Sequence, residues 1–314
     1  MKLLRSIAEL AGVPAPVVLA IGVFDGLHLG HRSVLSRALR EAERLGGTAV
    51  PLSFDPHPAR VLRPEQPPLL LTATEHKLRL LAAMGFESAL LLAFDAALRA
   101  TSAEAFVRSL AAAARPLAAV CVGHQWSFGR GREGNLELLA QLGAELHFEE
   151  IGVPEVEWEG EPVSSTRIRN ALATGNLHLA SLLLGRGYTV LGEVCHGRAL
   201  GRTIGFPTAN LALFNEQLPP NGVYAVRATL LAGDGRELPY RGVANLGLRP
   251  TVDGGGEAPS LEVHLFDFDG DLYGKRLEVE FVSFLREEKR FDSLTLLQEQ
   301  IARDANLARS LLPR

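Results

Sequence analysis

The apolar residues of this chain follow one rhythm before about residue 185 and another after it, and that change limits the fold more than any other feature. In the first part, short runs that are apolar throughout alternate with stretches of helical spacing. The apolar runs are "APVVLAIGVF", "TAVPLSF", "SALLLAF", "LAAVCVG" and "AELHFEEI". The helical stretches include "HRSVLSRALREAERLGG", which stops at Gly46 and Gly47, and "TEHKLRLLAAMG", with Thr74 as a capping candidate. Strands apolar on both faces and separated by helices predict an α/β domain with a parallel sheet covered on both sides. "SSTRIRNALATGNLHLASLLLGRGY" then predicts two helices ending at Gly185. Beyond it, "YTVLGEVCHG", "GVYAVRATLL", "RELPYRGVANLG", "SLEVHLFDF" and "KRLEVEFVSFL" alternate in twos between turn-formers. Five or six antiparallel strands of this kind predict a small β-barrel or sandwich, with the helical tail "SLTLLQEQIARDANLARSLL" packed on it. Two domains are expected, 1–184 and 185–314, and "DGGGEAP" (253–259) is expected to be flexible.

Composition narrows the function classes. Hydrophobic residues make up 47% of the chain and charged residues 22%, with a net charge of −4. That balance argues against a dedicated nucleic-acid or anionic-membrane binder, so any bound anion must be held by local geometry. The two cysteines, Cys121 and Cys195, suit neither a disulfide framework nor a zinc site. Arg5 and Glu9 interrupt the leucines near the start, and no run of about 18 apolar residues follows. The expectation is a soluble, cytoplasmic protein.

The turn "GVFDGLHLGHR" (22–32) sits where a strand gives way to a helix, the carboxyl-end position at which parallel sheets bind ligands. His28 and His31, three apart, could share a metal, but zinc wants three or four ligands and only Asp25 is near in sequence. They could also simply cap the helix. Gly22, Gly26 and Gly30 favour a third reading, because glycines let the backbone approach a ligand and a helix start offers unpaired N–H donors. Imidazoles there would add donors to phosphate oxygens where charge builds up.

These residues resemble the first signature of the nucleotidyltransferases that carry a histidine-x-glycine-histidine motif, and "SSTRIR" (164–169) resembles their second. The resemblance implies a Rossmann-like fold and transfer of a nucleotide from ATP with release of pyrophosphate. It gives Gly22, Phe24, Asp25, Gly26 and Gly30 to ATP and phosphate binding, with His28 and His31 catalytic and Ser165, Thr166 and Arg169 closing over the triphosphate. An acceptor phosphate is already ionised near neutrality, so this step needs relief of repulsion and not a base.

The second half defines the acceptor. "GRALGRTIGFPTANL" (197–211), "GVANLGLRPTV" (242–252) and "SLEVHLFDFDGDLYGKRLEVEF" (260–281) resemble riboflavin kinase domains. Nearly the whole chain, including "SFDPHP" (53–58) and "LREEKRFDSL" (285–294), resembles the bacterial bifunctional riboflavin kinase/FMN adenylyltransferase family. Riboflavin, FMN and ATP are then the substrates, and FMN and FAD leave as products. Gly197, Gly201 and Gly205 suit a loop that wraps phosphates with backbone N–H groups. Thr208 and Asn210, two apart on an extended segment, point the same way and offer the hard oxygen ligands Mg²⁺ takes. In "SLEVHLFDF", Leu261, Val263 and Leu265 share one face and Glu262 and His264 the other; water alone would explain the polar face, but Glu262 matches the family's catalytic base. Arg286 and Phe291 are expected at the flavin by resemblance. One stretch departs from the family: in "GHQWSFG", Gln125 and Trp126 stand where relatives carry a shorter acidic or amide residue and then Phe. Both are expected to line the adenylylation site.

Overall fold

The structure, a computed structural model, describes residues 1–196, 201, 204–232, 235–250 and 257–313. By internal contacts the chain divides into two compact units, Met1–Leu69 with Thr74–Ser165 and Leu70–Ala73 with Thr166–Arg314.

The first unit is a six-stranded sheet. Its strands are β1 (Lys2–Leu4), β2 (Val17–Ile21), β3 (Thr48–Asp55), β4 (Ser88–Ala93), β5 (Leu117–Gly123) and β6 (Glu149–Val153). They lie in the order β1-β4-β3-β2-β5-β6, and every pairing is parallel. The unbroken apolar runs have a simple cause. In β2, Val17, Leu19 and Ile21 pack with Phe106, Val107 and Leu110 of helix Ala103–Ala113, while Val18 and Ala20 pack with Val34, Leu35 and Ala38 of helix Leu29–Leu45. Both faces are covered, so neither set can be polar. Helix Leu29–Leu45 ends at Gly46, whose φ of +64° is left-handed and costs glycine little.

Two local expectations change. The predicted strand "AELHFEEI" is shorter, because helix Leu136–Leu146 carries its apolar stripe through Leu139 and Leu142 and stops only at His147; β6 starts at Glu149. The N-terminal leucines also form β1, whose three residues were too few to show a period. A two-residue hairpin, β7 (Glu157–Trp158) with β8 (Glu161–Pro162), closes this unit.

After Leu70–Ala73, the second unit takes up helix Ser165–Ala173 from its second residue and then helix Leu177–Leu184, which is capped by Gly185 at φ +66°. Its strands β9 (Tyr188–Cys195), β10 (Ala209–Leu213), β11 (Gly222–Leu231), β12 (Glu237–Pro250), β13 (Glu257–Leu265) and β14 (Arg276–Arg286) close into an antiparallel barrel ordered β10-β13-β12-β11-β14-β9. Leu261, Val263 and Leu265 are buried, so Glu262 and His264 stand on the outer face. Helix Leu294–Leu311 covers part of the barrel, with Ala305 and Ala308 against Val223, Ala225, Val243 and Phe266. Of "DGGGEAP", 253–256 lie outside the described residues and 257–259 open β13.

The short segment Leu70–Ala73 belongs to the barrel unit by hydrogen bonding. The Leu71 carbonyl accepts from Asn215 Nδ2 at 2.6 Å and Tyr188 Oη at 3.2 Å, and the Leu70 N–H donates to Glu216 Oε2 at 3.1 Å. Among the described residues no helix is long and apolar enough to cross a membrane.

Candidate active sites

The histidine turn begins where β2 leaves the sheet. Phe24 and Leu27 are buried and have φ of +51° and +43°, with Gly26 at +86° between them. Gly22 is required by that fold-back, because a Cβ there would stand 2.7 Å from Cε1 of the Phe24 ring. His28 is the N-cap of helix Leu29–Leu45, and its Nδ1 accepts the His31 N–H at 3.3 Å. An Nδ1 that accepts leaves the ring proton of neutral His28 on Nε2, where it can be donated. The two imidazoles stack with centroids 3.6 Å apart, and Phe24 meets the His31 ring edge-on at 5.5 Å. A Cβ on Gly30 would crowd the His28 ring at 3.2 Å, so glycine lets that ring lie over the helix start. His31 Nδ1 is buried with no hydrogen-bond partner in the structure. Burial above all, then His28 and Lys77, hold the His31 imidazole well below its ordinary range.

The cap reading is therefore half of the answer for the histidines: His28 does cap the helix, and the capping bond is what orients it. Among the described residues there is no cluster of three His, Cys, Asp or Glu side chains that could hold a metal ion. Ser165 joins this turn by donating its hydroxyl to the Asp25 carbonyl at 2.9 Å. Thr166 and Arg169 lie on the opening turns of helix Ser165–Ala173, Thr166 exposed and Arg169 half-buried. Gln125 is exposed, whereas Trp126 is half-buried and stacks on Phe128 at 4.1 Å, so one of its faces is already spent on packing.

In the barrel unit, a cavity of about 250 Å³ on the outer face is lined by Glu262, Thr208, His264, Gly201, Arg286 and Phe291, among others. Thr208 Oγ1 lies 3.5 Å from Glu262 Oε2. Asn210 and Asn245 stand directly opposite Glu262 on its two neighbouring strands, so all three share the outer face. Asn210 is buried and its Oδ1 has no partner. The loop before β10 is pinned by the His264 ring, whose Nδ1 is 2.8 Å from the Pro207 carbonyl, and by the Phe206 N–H donating to the Gly201 carbonyl at 2.8 Å. Gly201 is packed against the Phe206 carbonyl, which leaves no room for a Cβ, and Gly205 has a φ of +82°. Gly197 lies outside the described residues. The Arg286 guanidinium faces Phe291 but is engaged by the buried Asp304, with Nη2 to Oδ2 at 2.8 Å. A second cavity, about 300 Å³, shares Thr208 with the first and is walled by Pro207, Phe268, Leu272 and Tyr273.

Both halves match known families. The FAD synthetase model matches residues 11–167 and the riboflavin kinase model residues 184–312. The bifunctional riboflavin kinase/FMN adenylyltransferase of Escherichia coli K12 is 41% identical over 98% of this chain and 97% of its own, and that of Pseudomonas fluorescens is 40% identical over 99% and 98%. The chain belongs to the bifunctional riboflavin kinase/FMN adenylyltransferase family. A crystal structure described as a macrolide-efflux protein from Streptococcus pneumoniae is 31% identical, with a TM-score of 0.82 over 98% of this chain and 99% of that one, and it shares this two-part fold. As a member of the family, the chain is an enzyme of flavin-cofactor biosynthesis.

Sequence reasoning missed two groups in this riboflavin kinase/FMN adenylyltransferase. Asn245 and its bond to Glu288 Oε1 at 3.0 Å depend on strand register, which no local pattern carries. Lys77 is buried, its Nζ donating to the Val23 carbonyl at 2.8 Å and to Ser53 Oγ at 3.3 Å. One signal was available: Lys77 lies four residues before the buried Leu81, on the apolar stripe of helix Thr74–Ala83.

Proposed function

We propose that residues 185–314 phosphorylate riboflavin and that residues 1–184 adenylylate the resulting FMN, each with ATP. What carries the kinase assignment is the Glu262 carboxylate, set in a cavity beside Thr208 and in register with the buried, unpartnered Asn210 Oδ1. The primary hydroxyl of riboflavin loses its proton to Glu262 as its oxygen attacks the γ-phosphorus, the bond to the β–γ bridging oxygen breaks and ADP leaves. Of the other carboxylates lining the cavity, Glu288 is bonded to Asn245 and Asp304 to Arg286. Arg286 and Phe291 form the flavin wall, with Asp304 holding the guanidinium in place. ATP occupies the second cavity, so that Thr208 stands where its γ-phosphate meets the acceptor. The all-oxygen set of Thr208 and Asn210 fits Mg²⁺, which would neutralise charge on the transferring phosphoryl group. Gly201, Gly205 and Gly197 let the loop before β10 approach the phosphates.

In the adenylyltransferase half, the His28 and His31 rings and the helix start behind Gly30 bind the triphosphate. The FMN phosphate attacks the α-phosphorus, the α–β bridge bond breaks and pyrophosphate leaves. His28 Nε2–H and the unpartnered Nδ1 of His31 stabilise the charge that grows on the departing oxygens. Ser165, which donates to the Asp25 carbonyl, belongs to that anion site, and Gln125 and Trp126 contact substrate. The free cysteines suit a reducing cytoplasm.

A chromatographic time course with riboflavin, ATP and Mg²⁺ tests the division of labour. The expected result is FMN then FAD for the wild type, arrest at FMN for His28→Ala, and FAD formed only from added FMN for Glu262→Gln. Loss of both steps in either folded variant would refute it.

A further inference from the structure

β2 ends at Ile21, and the backbone ladder with β3 runs out just beyond it. The Gly22 N–H still donates to the Leu52 carbonyl at 3.1 Å. One residue on, the Val23 carbonyl is served by side chains: Ser53 Oγ donates to it at 2.8 Å and Lys77 Nζ at 2.8 Å, with Lys77 also donating to Ser53. Both acceptor positions of that oxygen are filled. The residues that follow hold the positive φ values of Phe24, Gly26 and Leu27. A non-glycine residue in that region costs on the order of 1 kcal/mol or more, so the turn persists only if its surroundings hold it. From Phe24 the contacts continue edge-on to His31 and, by stacking, to His28.

We propose that Lys77 is a positioning residue for adenylyl transfer: its ammonium group clamps the Val23 carbonyl and so fixes the turn that aims His28 and His31 at the triphosphate. This rests on the assignment of those histidines to the adenylylation step. Methionine would fill much the same space and leave the carbonyl one donor short.

Electrostatics add a second effect. Burial pushes the Lys77 ammonium below its ordinary range, while the facing carboxylates Asp25 and Asp55 favour its charge. The groups acting on His31 are its own burial, His28 and Lys77, and all three disfavour a proton there. Near neutral pH, His31 is thus an uncharged imidazole in the ligand-free protein, stacked on His28 without repulsion. Binding of a polyanion opposes the Lys77 effect and draws a proton toward the pair.

The test uses the full chain and three readouts: FAD formed from FMN, FMN formed from riboflavin, and the NMR titration of the His31 ring. For Lys77→Met, FAD formation is expected to fall about tenfold to a hundredfold, the range a small misplacement of catalytic groups produces. Riboflavin phosphorylation stays unchanged in the same sample, and His31 titrates at higher pH than in the wild type. Lys77→Arg restores the charge and brings the His31 titration back toward wild type. Ser53→Ala removes one bond to the same carbonyl but leaves the cation, so FAD formation falls less and His31 titrates as before; this variant decides the matter if Lys77→Met does not fold. Wild-type FAD formation by folded Lys77→Met, or by Ser53→Ala in its place, overturns the proposal, as does an equal loss of both reactions. His28→Ala serves as the control: FAD formation that survives it would refute the histidine assignment itself, whatever Lys77 shows.

Discussion

Replacing Glu262 by Gln is the sharpest perturbation of the kinase half, because it removes the proposed base and little else. Strand β13 is anchored by Leu261, Val263 and Leu265, which are buried on the opposite face and do not change. Gln has the shape of Glu, and its amide oxygen can still accept from Thr208, now 3.5 Å from the carboxylate. Folding and riboflavin binding should therefore survive, and the loss should fall on the chemical step. General-base help is worth ~10²–10⁴ in rate, or about 3–5 kcal/mol of barrier, so kcat for FMN formation should drop by that factor. KM for riboflavin should move only a few-fold, because no binding contact is lost. The assay separates riboflavin, FMN and FAD over time and repeats the reaction with FMN supplied, where FAD formation should match the wild type. A folded variant that keeps more than about a tenth of the wild-type kinase rate would refute the base assignment. A variant whose KM rises while kcat holds would make Glu262 a binding residue instead.

Three further perturbations address other parts of the structure. Gly22→Ala places a methyl 2.7 Å from the buried Phe24 ring, so calorimetry should show a loss of about 1–3 kcal/mol and FAD formation should fall while kinase activity holds; wild-type stability would mean Phe24 does not need that space. Asn215→Ala strips the buried Leu191 N–H of its 2.9 Å acceptor and Leu71 of one donor, so denaturant titration of the barrel should lose on the order of 2 kcal/mol; no loss would mean that Leu70–Ala73 is not integral to that unit. The depressed His31 gives a signed pH effect. Its folded pKa lies below the unfolded value near 6.5, so the native state binds fewer protons, and stability present above pH 6.5 is lost as pH falls through that value toward the depressed one. His31→Gln should abolish that component, by up to about 1.4 kcal/mol per pH unit within the window, when wild type and variant are melted at pH 7.5 and 5.5. Parallel stability curves would show that His31 is not held neutral.

Much of the fold could be read from the pattern because both architectures impose strict burial rules. β2 feeds two cores, Val17, Leu19 and Ile21 on one side and Val18 and Ala20 on the other, which forces an unbroken apolar run. β13 feeds one, which forces alternation. The misreadings fall where these rules weaken. Helix Leu136–Leu146 and β6 adjoin with only two residues between them, so apolar residues of both periods run together. Leu70–Ala73 joins the barrel unit through main-chain groups and three polar side chains far along the chain, Asn215, Glu216 and Tyr188, and no spacing announces such a graft.

The sites divide along the same line, and physics accounts for the division. The groups proposed to touch phosphate come with local requirements: His28 needs to be an N-cap, Gly30 must clear its ring, and Gly22 must clear Phe24, all within a few residues. Thr208 and Asn210 are likewise paired by a two-residue period. Groups that hold those residues in place obey no such neighbourhood. Lys77 reaches the Val23 carbonyl across 54 positions, His264 reaches Pro207 across 57, and the Asn210, Glu262, Asn245 row exists only once β10, β13 and β12 are in register. Only Lys77 leaves a local trace, a charge on an apolar stripe, whereas His264 stands on a strand face that water alone would explain. A charged residue where the period demands an apolar one therefore signals a distant backbone group in need of a partner. On that argument Lys77→Met should repair the helix pattern and impair the turn it supports.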